Sequence, residues 1–184
     1  MGVVPRRSTR SLALTVRSIA ILLTVGVSVG ASGAVVQRDQ SQAAVPAFEQ
    51  HPAVVSSIVV PAKVRLDSHP KARTFRTALR DGAKNGPNFA GHFTIVTWGC
   101  GIACQDVSIV DAKSGRVFFP QQLQPTSNDA VTDETPPLQY RLDSKLLIVA
   151  GSPLDRDDNI GIHYYLWTGQ NLKELLYVPK EWAR

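Results

Sequence analysis

The chain has 184 residues, enough for one ordinary domain and too few for two of comfortable size. Its formal net charge of +5 suggests a nucleic-acid or membrane-surface partner, but that charge is unevenly distributed. Four of the 20 basic residues and none of the 15 acidic residues lie in residues 1–34, so the rest of the chain is close to neutral. The composition therefore argues against a nucleic-acid partner.

Residues 1–34 have the three parts of a signal peptide in the usual order. A basic region ends at Arg17, an uncharged apolar run covers 18–30, and small residues follow at 31–34. The apolar run is short for a membrane-spanning helix, which needs roughly 20 apolar residues. We expect cleavage near Ala34 and an exported bacterial protein, periplasmic or secreted, that contacts a membrane only through this segment before cleavage. The alternative is an uncleaved segment that anchors the protein in the inner membrane.

The rest of the chain divides into a linker and one domain. Residues 35–56 are rich in Gln, Ala, Ser and Val and lack periodicity, which predicts a flexible linker. Residues 57–184 are predicted to form a single β-rich globular domain, with a first strand over 57–65.

One helix is predicted near the start of this domain. Asp67 or Ser68 can cap it, Pro70 suits its first turn, and Gly82 suits a left-handed residue at its C-terminal end. Apolar residues at helical spacing support the prediction: Ala72, Phe75, Ala78 and Leu79. A basic row occupies another face, formed by Arg73, Arg76 and Arg80. We interpret this row as a solvated charged face, with an anionic partner as the alternative.

Apolar runs separated by turn residues predict seven further strands: 92–98, 106–111, 116–120, 138–142, 146–150, 162–167 and 172–178. The polar stretch 121–137, which contains three prolines, is predicted to be a surface loop. Together these elements predict an α+β, β-rich fold: an antiparallel meander sheet or a small partly closed barrel with one N-terminal helix.

The densest motif begins with Asn88-Phe-Ala-Gly-His92, continues with Trp98-Gly-Cys100-Gly, and ends with Cys104-Gln105. It resembles a group of uncharacterised bacterial exported proteins that carry NFAGH, then WGCG, then a second Cys. The resemblance extends weakly over 75–178. The resemblance implies that the protein is exported and supports the predicted domain boundary. No activity is known for this group.

Cys100 and Cys104 are the only cysteines, and Gly99 and Gly101 flank the first of them. Two thiols this close in an oxidising compartment usually pair, so we predict a structural disulfide at the end of a strand. One alternative is a redox dithiol, although such catalysts favour two intervening residues. The other is a zinc site that adds His92 and a further ligand such as His163.

A binding face is predicted beside the cysteines. His92, Trp98 and Cys100 share strand parity, so they are expected on one side of the strand. Asn88 and Gln105 complete the set of candidate binding residues, because the nearby backbone and amide groups would give a polar pocket with an aromatic wall. The alternative is a buried Trp with a hydrogen-bonded His that closes the end of the sheet.

Residues 155–161 place oxygen-bearing side chains at alternate positions, as calcium loops do. However, Ile160 stands where the tight turn needs Gly, and Leu166 stands where a bidentate Glu is required. We therefore predict an acidic, solvated turn, and no metal or other cofactor.

No catalytic signature emerges from these residues. The leading hypothesis is a non-enzymatic binding module for a small ligand, a glycan or a protein partner. The first alternative is an enzyme, a thiol oxidoreductase or a hydrolase, with its site around Asn88, His92 and Cys100. The second alternative is a structural component of the cell envelope.

Overall fold

The computed structural model describes residues 44–58, 60–127 and 135–180, except for the side chain of Asp157. The predicted signal peptide over 1–34 and the first part of the predicted linker, 35–43, lie outside the described residues. No helix in the described ranges is long and apolar enough to span a membrane.

Eight strands in the described part of the chain form one antiparallel sheet. They are β1 (Phe93–Gly101), β2 (Cys104–Asp111), β3 (Val117–Phe118), β4 (Thr126–Ser127), β5 (Leu138–Tyr140), β6 (Leu146–Pro153), β7 (Gly161–Trp167) and β8 (Leu172–Pro179). The strand order is β1-β2-β4-β6-β7-β8, with β3 added on β2 and β5 added on β6. The β-rich antiparallel prediction is confirmed, and the sheet is open rather than a partly closed barrel.

The two-residue strand β4 joins the halves of the sheet. Gln105 of β2 pairs with Thr126, and Thr126 pairs in turn with Pro153 of β6. The sequence predicts a loop over 121–137, and that prediction is wrong at β4 and at a 3-10 turn over Gln121–Leu123. Residues 128–134 of this loop lie outside the described residues.

Successive side chains of a strand point to opposite faces of the sheet, and both faces carry buried apolar residues. One face carries the largest buried cluster, which includes Phe93, Ile95, Ile109 and Trp167. Each fully buried side chain of this kind stabilises the fold by about 1.5–3 kcal/mol. The opposite face of β1 and β2 carries Val96 and Val110, which pack under the helix with Leu79 and Phe119.

The predicted helix divides into two parts. A 3-10 turn covers Pro70–Arg73, and the α-helix α1 covers Arg76–Ala83. The predicted cap at Asp67 or Ser68 is wrong, because the Nδ1 atom of His69 accepts the hydrogen bond from the Lys71 N–H at 3.2 Å.

Gly82 has a different role from the one predicted. It lies inside α1, and a Cβ atom there would come within 2.4 Å of Cγ1 of Val96. The glycine therefore allows α1 to approach β1 closely, and it does not end the helix.

The segment that leads to the helix is extended but irregular. No strand is present over 57–65 among the described residues, so that prediction is wrong. Pro61 lacks an N–H to donate. Among the described residues of this stretch, two backbone donors bond to the β2–β3 region. They are Ala62, which donates to Ala112 O at 2.8 Å, and Arg65, which donates to Gly115 O at 2.8 Å.

Part of the predicted linker is packed against the domain. Ala53 donates its N–H to Asp143 O at 2.8 Å, and Lys145 donates to His51 O at 2.8 Å. Phe48, in a 3-10 turn over Phe48–Gln50, packs against the cluster that contains Leu146. In this respect the described stretch 47–56 differs from the flexible linker expected over 35–56.

Candidate functional site

The structure does not bring His92 and Trp98 together. His92 precedes the first residue of β1 and Trp98 lies near its other end, so about six residues, roughly 20 Å of strand, separate them. The His92 ring lies 4.3 Å from the Phe93 ring, and its Nε2 atom lies 3.7 Å from Oδ1 of Asp111. Partial burial and the charge of Lys113 lower the pKa of His92, and Asp111 opposes them.

Trp98 packs on the helix side of the sheet. Its ring centroid lies 4.7 Å from that of Phe75 and 6.1 Å from that of Phe119. Its Nε1 atom is buried with no hydrogen-bond partner among the described residues. These contacts favour the packed interpretation over the ligand wall.

Asn88 binds the backbone of its own sheet. Ile95 donates its N–H to Oδ1 of Asn88 at 2.8 Å, and Nδ2 of Asn88 donates to Ile95 O at 3.4 Å. This pair of bonds fixes the turn before β1, so both ends of the Asn88 amide are already used.

Gln105 lies at the junction between β2 and β4. Its Nε2 atom and the Oγ1 atom of its cross-strand neighbour Thr126 are both buried with no hydrogen-bond partner among the described residues. Gln105 and Thr126 line neither the cleft that contains Asn88 nor the cleft that contains His69.

Cys100 and Cys104 form a disulfide across the turn that joins β1 to β2, with their Cα atoms 5.3 Å apart. The turn between them presents Ile102, whose side chain is fully exposed. Bonded to each other, the two sulfurs are not available as the zinc ligands of the alternative hypothesis.

His163 is also committed to contacts within the chain. It is 3 % exposed, its Nδ1 atom lies 2.8 Å from Oε1 of Glu174, and its Nε2 atom lies 2.8 Å from Asn159 O. Burial, and then the neighbouring Glu174, raises the pKa of Tyr165 beside it. No three His, Cys, Asp or Glu side chains converge on a common point within the described ranges.

The turn predicted to be acidic uses its polar groups locally. Arg156 pairs with Asp158 at 2.6 Å, and the Asn159 side chain binds Ser152 and the carbonyl of Pro153, both at 2.8 Å. Leu154, just before this turn, and Asp155, its first residue, have left-handed backbone conformations that non-glycine residues rarely adopt. Their φ values are 64° and 50°.

A polar cleft of about 700 Å³ lies beside this strained turn. We call it the Arg116 cleft and define it by residues from four parts of the chain: His69, Arg116, Phe118, Leu154, Gln170 and Asn171. Non-glycine residues in the left-handed region cost of order 1–3 kcal/mol each and cluster at ligand-binding positions. Leu154, 43 % exposed, is such a residue at the edge of the cleft.

Arg116 supplies the positive charge of the cleft. Its guanidinium carbon lies 5.0 Å from the centre of the Phe118 ring, and within the described ranges no carboxylate forms an ion pair with it. The turn before Arg116 requires glycine at position 115. Gly115 has φ 74°, and a Cβ atom there would come within 2.0 Å of the Lys63 carbonyl oxygen. The arginine is therefore held over an aromatic ring with its donors available.

His69 adds a neutral donor. Partial burial, and then the charge of Lys71, lowers the pKa of His69, which favours the neutral ring. Because Nδ1 accepts a hydrogen bond from the Lys71 N–H, the proton lies on Nε2. The ring packs on Phe119 with centroids 4.6 Å apart, which fixes its orientation.

The turn between β7 and β8 contributes two amides. Thr168 Oγ1 donates to Asn171 O at 2.9 Å and accepts from the Asn171 N–H at 3.1 Å, which closes the turn. The exposed side chains of Gln170 and Asn171 make no hydrogen bond with another described residue. They therefore offer both donors and acceptors to a ligand in the Arg116 cleft.

Sequence reasoning missed this cleft. Its lining residues lie between positions 68 and 171, and no local motif links them. The one local signal is Gly115-Arg116, a basic residue directly after a turn glycine.

In comparison with known proteins, the chain matches no family model, no curated protein and no solved structure.

Proposed function

We infer that this protein is an exported, non-enzymatic binding domain whose Arg116 cleft holds a short acidic glycan. The observation that carries the proposal is the guanidinium of Arg116, held over Phe118 without a carboxylate partner in the described part of the chain. A cation with unused donors favours a ligand carboxylate, since an arginine can bind both of its oxygens.

The other groups around the cleft suit a hydroxyl-rich ligand. Gln170 and Asn171 can donate and accept at once, and a sugar hydroxyl also does both. The His69 ring supplies a flat surface for the C–H face of a sugar ring. A cleft of about 700 Å³ lies within the usual range of ligand sites, roughly 300–1,000 Å³.

Export is the second part of the proposal and rests on the charge and hydropathy pattern of residues 1–34. A glycan with carboxylates is a component of bacterial surfaces and surroundings, where an exported domain would meet it. The disulfide between Cys100 and Cys104 agrees with an oxidising compartment.

Calorimetric titration with a trisaccharide of hexuronic acid and with its neutral hexose counterpart tests the proposal. We expect the acidic sugar to bind and the neutral sugar to bind at least tenfold more weakly. Arg116→Gln should lower the affinity for the acidic sugar about 10- to 100-fold, since a charged hydrogen bond contributes about 1.5–3 kcal/mol.

Arg73→Gln is the matched control, because Arg73 is an exposed arginine that does not line the cleft. Equal binding of the two sugars, or an Arg116→Gln protein that binds as well as the Arg73→Gln protein, would contradict the proposal.

A further inference from the structure

A second cleft lies between α1 and the extended segment before the helix. Its volume is about 730 Å³, and we call it the Lys63 cleft. It is defined by Val60, Pro61, Lys63, Val64, Arg80 and Ala83. It shares no lining residue with the Arg116 cleft, so the inference below does not depend on the proposed function.

The floor of the Lys63 cleft is apolar. Ala83, the last residue of α1, is buried, and Val64 packs against the same cluster. Val60 lies at the mouth with its side chain 81 % exposed, which is unusual for a valine beside an apolar surface. The position of this residue leaves apolar area in water that a ligand would cover.

The rim of the Lys63 cleft is positive. Lys84 pairs with Asp81 at 2.8 Å, so the one acid of the lining is neutralised. Lys63 and Arg80 form no ion pair with a carboxylate in the described part of the chain. Two cations above an apolar floor are complementary to a molecule with one anionic end and one apolar tail.

The backbone at Lys63 and at Arg80 is held in place by neighbouring elements. The carbonyl oxygen of Lys63 lies against Gly115, and the next hydrogen bond fixes Arg65 to Gly115 O at 2.8 Å. Arg80 lies in α1 directly after the buried Leu79, which packs the helix onto the sheet. The basic row of the helix thus separates into Arg80, which lines the cleft, and Arg73 and Arg76, which do not.

We propose that the Lys63 cleft binds a single-chain fatty carboxylate, with its carboxylate between Lys63 and Arg80 and its chain along Val60, Pro61 and Val64. The size of the cleft favours this occupant over a folded partner, since its described lining consists of ten residues from two short segments. A monoacyl carboxylate supplies both the negative charge and the apolar surface in one small molecule.

The proposal is tested by calorimetry with dodecanoate, decanoate, dodecanol and acetate, each below its aggregation threshold. The full chain is used throughout, so binding by any other segment is the same in every variant. We expect one dodecanoate per chain, bound at least tenfold more tightly than dodecanol. Each methylene removed should weaken binding about two- to fourfold, and acetate should not compete.

Two variants with matched controls locate the ligand. Lys63→Gln combined with Arg80→Gln should reduce dodecanoate affinity to that of dodecanol, whereas Arg73→Gln should stay within twofold of the unmodified protein. Val60→Ser should weaken binding at least threefold, whereas Val54→Ser, at a valine that is 89 % exposed and outside the cleft, should not. All five substitutions are at exposed positions, so melting temperatures should be unchanged.

Three results would overturn the proposal: no dodecanoate binding at one per chain, equal binding of dodecanol, or unchanged affinity in the Lys63→Gln, Arg80→Gln protein. A protein that binds dodecanoate as expected but does not bind the acidic sugar would contradict the proposed function alone. Failure of the proposed function can therefore be told apart from failure of the fatty-carboxylate proposal.

Discussion

The Nδ1 atom of His163 lies 2.8 Å from Oε1 of Glu174, and the opposite ring nitrogen lies 2.8 Å from the carbonyl oxygen of Asn159. One side chain thus joins β7, β8 and the turn that precedes β7. Its ring also stacks on Tyr177 with centroids 4.5 Å apart. Because Leu154 of the Arg116 cleft lies in the same connection between β6 and β7, this bond pattern supports one edge of that cleft.

Replacing His163 by Ala should destabilise the protein by about 2–4 kcal/mol. The change opens a cavity and leaves the carbonyl of Asn159 without its donor. Urea unfolding gives the midpoint and slope that measure it. Lys173→Ala, at an exposed position on β8, is the control and should change stability by no more than about 0.5 kcal/mol. Equal midpoints for the two variants would show that neither the packing nor the hydrogen bonds of the ring stabilise the fold.

Gly115 and Gly169 provide a matched pair for the turn before Arg116. Both have left-handed backbones, φ 74° and 94°, but a Cβ atom meets the Lys63 carbonyl oxygen at 2.0 Å only at Gly115. At Gly169 nothing lies within 4 Å. We expect Gly169→Ala to cost about 1 kcal/mol from backbone strain, and Gly115→Ala to cost at least about 2 kcal/mol more because the backbone must shift. Thermal melting of both variants checks this, and similar losses would contradict it.

The sequence predicts the long strands well because their signal is local. Apolar residues that alternate along β1, β2, β7 and β8 indicate strands that are buried on one or both faces. Turn residues beside them indicate where the strands end. The same signal fails for β4, since two residues are too few to show a period. It also fails over 57–65, where apolar residues are frequent but Pro61 and the lack of a regular partner strand prevent a ladder.

The candidate site is less predictable for a different reason. Strand parity places His92 and Trp98 on one side, but His92 lies before β1, where Gly91 at φ 86° has already changed the chain direction. The Arg116 cleft is formed by residues such as His69 and Gln170, about a hundred positions apart. Only the tertiary packing of the sheet and the helix region brings such residues together.

Arg141 binds two carboxylates, Asp143 at 2.7 Å and Glu49. The hydrogen bond from Arg141 lowers the pKa of Asp143. A backbone hydrogen bond, and then the one from Arg141, lowers the pKa of Glu49. Folded-state values below the unfolded ones mean that this stabilisation is present above the usual carboxylate pKa and is lost as the pH falls through the lowered values.

We therefore expect the contact between residues 47–53 and the turn at Asp143 to loosen at acidic pH and at high salt, since all three groups are exposed. Carboxylate chemical shifts of Glu49 and Asp143 across a pH titration measure the effect. In Arg141→Gln both pKa values should move up toward the ordinary range. Unchanged titration curves in that variant would mean that the arginine does not set them.

Trp98 and Trp167 provide the last test, which separates packing from ligand binding on the β1 face. Trp167 is 2 % exposed within the largest cluster, whereas Trp98 is partly buried against Phe75 and Phe119. Trp167→Ala should therefore cost about 3–5 kcal/mol through cavity formation, and Trp98→Ala somewhat less, about 2–4 kcal/mol. His92→Gln should cost under about 1 kcal/mol, because His92 is partly exposed and its polar contact with Asp111 is long. Chemical unfolding of the three variants gives these values, with acidic-sugar affinity measured in parallel. A Trp98→Ala protein that unfolds like the unmodified chain but no longer binds the acidic sugar would contradict the packing role of Trp98. That result would indicate a binding site on the β1 face.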